Sequence, residues 1–125
     1  MVLQDKLKKE FAFFCKISGG NFKEGLYFEC ERENYSIKVG YNGNNLSLTI
    51  SSKLTGDYEV LSINNVKVMD VERLSKENDL REIEYYVLNI YLDKGILSIR
   101  KSSRENKLVI NLKTSEIEYE SSVLF

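Results

Sequence analysis

Hydrophobic positions along the chain follow two rhythms, and the change between them divides the molecule. In residues 2–17, Leu3, Leu7, Phe11, Phe14 and Ile17 recur at three- and four-residue steps. That spacing places them on one stripe of an amphipathic helix, with Lys6, Lys9 and Lys16 on the other side. Gly19 and Gly20 follow the last apolar residue and supply a left-handed stop. From residue 21 onward the period is two. Phe22, Leu26, Phe28 and Cys30 alternate with Lys23, Tyr27, Glu29 and Glu31, which predicts one strand over 21–31. Tyr35, Ile37, Val39 and Tyr41 form a second alternating run. NGNN at 42–45 then turns the chain into a third, Leu46, Leu48 and Ile50. Alternation this clean marks antiparallel strands with one face in the core.

The second half continues the meander. Tyr58–Ile63 and Val66–Val71 read as two strands joined by Asn64-Asn65, residues that tolerate a positive φ. Leu80, Ile83 and Val87 also keep helical spacing. The aromatic and β-branched content of IEYYVLNIYL nevertheless favours a loop over 75–80 and a long strand to residue 92, apolar on both faces. Asp93-Lys94-Gly95 turns the chain, and ILSIR, KLVINLK and IEYE complete the pattern. The predicted fold is α+β and mainly β, one domain over residues 1–125. Its N-terminal helix (2–17) covers a curled antiparallel meander (21–121) of about eight or nine strands. That many strands in so short a chain should curl into a barrel or half-barrel.

The phrase GDYEVLSINNVKV at 56–68 resembles the Gly-Asp, strand, turn, strand phrase of PDZ domains. EGLYF at 24–28 stands where that family's carboxylate loop would fall. The resemblance implies a groove for a free C-terminus. Tyr27 replaces a glycine of that loop, no small-residue helix lies between the two phrases, and the strands beyond residue 92 have no place in that fold. The phrase is therefore read as a plain hairpin, and no functional residue is carried over from the family.

Composition narrows the chemistry. Charged residues make up 30% of the chain and balance to a net charge of −1, which argues against a nucleic-acid binder. No stretch reaches the ~20 apolar residues of a membrane span, and the lysine-interrupted N-terminus lacks a signal-peptide core. The expected location is cytoplasmic. Cys15 and Cys30, the two cysteines, are then expected as buried thiols, with a bridge or redox pair as the alternative. Pro is absent, Ala12 is the single alanine, and Asn, Lys, Ile and Tyr abound. That bias expects an AT-rich genome, as of a low-GC bacterium or a phage.

The chain has no His. Its absence removes the commonest acid–base group near neutral pH and every Ser-His or Cys-His nucleophile. No phosphate-binding loop is present, and no carboxylate pair stands out among the Glu and Asp. No cofactor and no metal site is expected. Candidate binding residues are Tyr85, Tyr86 and Tyr91, since tyrosine is favoured at interfaces. Asn89 is the lone polar residue of IEYYVLNIYL, and Glu10 falls within the helix stripe. Arg100, Lys101 and Arg104 come from the basic segment 94–113, which could steer a charged protein partner. By elimination, the expected function is a non-enzymatic small binding protein acting on a protein partner, of the immunity or inhibitor type. The alternative is a β-barrel holding a small apolar or aromatic ligand.

Overall fold

A computed structural model describes residues 3–78 and 81–125, the side chains of residues 78 and 81 apart. Position 2 of the expected helix and positions 79–80 of the expected loop lie outside the described residues. One helix, α1 (Leu3–Ile17), precedes ten strands. These are β1 (Asn21–Glu24), β2 (Phe28–Glu31), β3 (Tyr35–Asn42), β4 (Asn45–Ser52), β5 (Tyr58–Ile63), β6 (Val68–Asn78), β7 (Arg81–Tyr91), β8 (Gly95–Ser102), β9 (Lys107–Thr114) and β10 (Glu118–Leu124). They form two five-stranded antiparallel meanders, β1 to β5 in one sheet and β6 to β10 in the other. The helix and the antiparallel sheet content are as expected. The closed barrel and the count of eight or nine strands are not. The two sheets share one core, and no ladder joins them among the described residues.

The helix takes the place of the missing ladder. Leu7, Phe11 and Phe14 are fully buried, and α1 touches β1 and β2 of the first sheet and β6 and β7 of the second. Each such side chain contributes roughly 1.5–3 kcal/mol by leaving water. The ring of Phe11 meets Phe22 edge-on at 6.1 Å, and Phe22 packs on Phe28 at 5.8 Å. Phe28 in turn stacks on Tyr41 at 5.3 Å. At the other end of the core, Tyr35 of the first sheet meets Phe125 at 4.5 Å.

The end of α1 shows why the Gly pair follows it. Gly19 adopts φ +85°. Its N–H donates to the Lys16 carbonyl and that of Gly20 to the Cys15 carbonyl, the paired bonds of a Schellman stop. Arg32 adds a charged cap, its Nη1 donating to the Ser18 carbonyl at 2.9 Å. Gly20 has a second reason to lack a side chain. A Cβ there would lie 2.4 Å from Cys30 Sγ and 2.8 Å from Cys15 Sγ.

Those two sulfurs are bonded, with the Cα atoms 5.5 Å apart. The expectation of two separate thiols is corrected: the alternation that buries Cys30 and the stripe that buries Cys15 bring both to one point between α1 and β2. Three further corrections follow from the ladders. Residues 21–31 are two strands, because the chain folds back at Gly25-Leu26-Tyr27 and pairs Phe22 with Cys30. Leu26, placed inward by simple alternation, is fully exposed at that tip. The run 58–71 is no hairpin, since β5 and β6 belong to different sheets. Ile63 and Val66 are both buried on either side of the exposed Asn64-Asn65 corner, and Asn65 takes φ +58°. The corner is held from both sheets, Val66 N–H donating to the Asn44 carbonyl and Lys67 N–H to that of Tyr91. Finally, β6 runs on to Asn78 where a loop from residue 75 is expected.

The bridge spans 15 residues, so opening it should cost about 3 kcal/mol of stability by the chain-entropy estimate. Thiol titration without reductant should find no free thiol, folded or denatured, and two after reduction. Two free thiols in the unreduced, denatured protein would contradict the bridge.

Candidate functional site

Strand register sorts the candidate residues by face. On β7, Leu88 and Ile90 are fully buried in the core, so Tyr85, Val87, Asn89 and Tyr91 point the other way. On β8, Leu97 and Ile99 face the core and Arg100 faces outward. The outer face of the second sheet thus gathers Tyr85, Asn89, Tyr91 and Arg100. It also carries Asp70 and Glu72 of β6, which pair with Asn89 and Val87.

Asn89 organises this face. It is only 4% exposed although it is on the outer side. Its Nδ2 donates to Asp70 Oδ1 at 2.9 Å and to Glu72 Oε1 at 3.0 Å. Its Oδ1 accepts from Ser98 Oγ at 2.8 Å. One amide therefore holds two carboxylates in place, and its own buried polar atoms are satisfied. The nearby Asp70 carboxylate raises the Tyr91 phenol above its ordinary value. Arg100 lies over the Tyr85 ring, 5.5 Å from its centre. Val87 lies between Glu72 and Arg100 in the register and is buried although it is on the outer side.

The other candidates lie elsewhere. Tyr86 points to the inner side, where its hydroxyl donates to Glu84 Oε2 at 2.5 Å. Arg73 completes that group with bonds to both Glu84 oxygens at 3.0 and 3.2 Å. Lys101 is buried, and its ammonium is spent on the Ser102 and Glu105 carbonyls and on the Phe125 ring face. Burial first, then the nearby Arg32, lowers its pKa, with Glu105 opposing. Arg104 is exposed in the β8–β9 turn, beside Glu82, Glu84 and Ser103 in an open surface depression. Glu10 is half-buried on α1, away from the outer face.

Sequence reasoning named Tyr86 but missed Asp70, Glu72 and the Arg73 and Glu84 that gather around Tyr86. The signal was the strand register, which sets Asp70 opposite Asn89 and Arg73 opposite Tyr86. Ending the strand at Val71 hid it. Among the described residues, no group of three or more metal-ligating side chains is gathered, and no helix is long and apolar enough to cross a membrane. No family model, curated protein or solved structure matches the chain.

The Glu84 group yields a pH prediction. The Tyr86 hydroxyl first, then Arg73, holds the Glu84 carboxyl below its ordinary range. A carboxyl whose folded pKa is depressed stabilises the fold above its unfolded value of about 4.3, and that contribution is lost as pH falls through the folded value. Glu84→Gln should therefore be less stable than the parent at neutral pH, and the gap should close in acid. Urea unfolding at a series of pH values reads this. A gap that stays constant down to the acid end would contradict it.

Proposed function

We propose that the protein is a non-enzymatic binding module that engages a protein partner, in the manner of an inhibitor or immunity protein, through the outer face of its second sheet. The observation that carries this reading is the Asn89 amide, which holds Asp70 and Glu72 beside Tyr91 and next to the Arg100–Tyr85 pair. Aromatic and arginine side chains on a rigid sheet lose little entropy on binding and are the groups that most often dominate interfaces. Carboxylates and a guanidinium fixed in one arrangement favour a partner of complementary charge.

The ligand-binding barrel has less support. Among the described residues no ladder closes the two sheets, and side chains fill the space between them, with Phe11, Phe14, Tyr35, Leu48, Ile50, Leu88 and Ile90 all nearly or fully buried. A cytoplasmic location, expected from the sequence, is in tension with the Cys15–Cys30 bond, which cytosolic thiol systems would reduce.

The test is affinity capture from an extract of the encoding organism. It compares the wild-type chain with Tyr91→Ala/Arg100→Glu, and mass spectrometry reads the protein and small-molecule fractions. One protein should be retained by the wild type and depleted about tenfold or more with the variant, the loss expected when two anchor contacts go. Equal retention by both chains, or a small apolar compound as the sole specific companion, would overturn the reading.

A further inference from the structure

On the side away from α1 the sheets approach each other where β10 packs near β4 and reaches β5 through side chains. Both β5 and β10 are edge strands, β5 pairing with β4 and β10 with β9. No backbone-to-backbone bond joins these segments among the described contacts; each bond between them involves a side chain. Thr55 Oγ1 donates to the Leu124 carbonyl at 3.3 Å. Further along, Tyr119 donates to Glu59 Oε1 at 3.2 Å and the Ser121 hydroxyl to the other oxygen. Residue numbers rise on β5 as they fall on β10, so the two run antiparallel, and each has one edge with no strand paired to it among the described residues.

Two further features meet here. Of the eleven exposed large apolar side chains described, six belong to these strands or the turns before them: Leu54, Tyr58, Val60, Ile117, Tyr119 and Leu124. Scattered exposed apolar residues need no explanation, but a concentration along unpaired edges marks a contact surface. Segments 54–66 and 114–125 also hold Asp57, Glu59, Glu116, Glu118 and Glu120 with no Lys or Arg, and none of the five is in a described ion pair. Edge strands are usually blunted by charged side chains, lysine above all, or by proline. These two carry no lysine or proline, and their charges are all acidic.

We propose that the seam between β5 and β10 is a docking site for an extended segment of another protein, one alternating Lys or Arg with apolar residues, which adds as a strand along the free edge of β5. Unpaired N–H and C=O groups select an extended backbone. The acids select its basic side chains, and Tyr58 and Val60 receive the apolar ones. This surface is separate from the Asn89 face, so the two proposals stand or fall independently.

The test uses short capped peptides in which Lys or Arg alternates with Val, Ile or Tyr, titrated into isotope-labelled protein. The expected result is saturable binding that weakens with added salt. Amide shifts should be confined to residues 54–63 and 117–124. Tyr58→Lys/Val60→Lys, at exposed positions that leave the core intact, should weaken binding by about tenfold or more, and Tyr91→Ala/Arg100→Glu should leave it unchanged. The proposal is overturned by absence of saturable binding, by equal binding of matched peptides with Glu for Lys, or by shifts on the Asn89 face instead. It is also overturned if the chain forms a dimer that Tyr58→Lys/Val60→Lys dissolves, which would make the occupant a second copy.

Discussion

Everything in this molecule depends on the apolar stripe of α1 standing in for a strand ladder. Two five-stranded meanders share a core without closing on each other. On one side the gap between β1–β2 and β6–β7 is filled by Leu7, Phe11 and Phe14. A helix there satisfies its own backbone bonds and needs from the sheets only apolar surface, so it can fill the gap without pairing to either edge. The Cys15–Cys30 bond and the Arg32 cap fasten its C-terminal end to the first sheet's side of the core.

The asymmetry of that closure shapes the surface. Where the helix packs, it covers the inner faces of β1–β2 and β6–β7, with Phe28, Met69, Leu88 and Ile90 buried. Where it does not, β5 and β10 meet through a few side-chain bonds around Glu59 and leave apolar and acidic groups in the open. The long β6–β7 hairpin carries the other notable surface, because its pairing register stacks Asp70 and Glu72 against the amide of Asn89.

Much of the fold was legible because local periodicity is a direct consequence of burial on one face. The stripe from Leu3 to Ile17 and the alternation of Tyr35 to Tyr41 and Leu46 to Ile50 follow from that alone. What alternation cannot report is which strand pairs with which. Ile63 and Val66 flank Asn64-Asn65 just as they would in a two-residue hairpin, yet both are buried because the chain crosses from one sheet to the other there. Within 21–31 the fold-back at Gly25 cost the strand count and put Leu26 on the wrong side. The candidate site was half legible: Asn89 and the tyrosines stood out as residue types, whereas Asp70, Glu72 and Glu84 acquire their partners only through register. Lys101 looked like surface charge because neighbouring residues in sequence are basic, and only the packing of the β8–β9 turn and Phe125 around its ammonium shows otherwise.

Native-state hydrogen exchange tests the central role of α1 most directly, since it gives an opening free energy for each element. If the helix substitutes for the missing ladder, its central amides around Phe11 and Phe14 should open at the same free energy as those of β3, β4, β7 and β8, in one global unit with the sheets. Exchange of the helix amides at a much lower free energy, with both sheets still protected, would show that the sheets hold together without it and contradict the account.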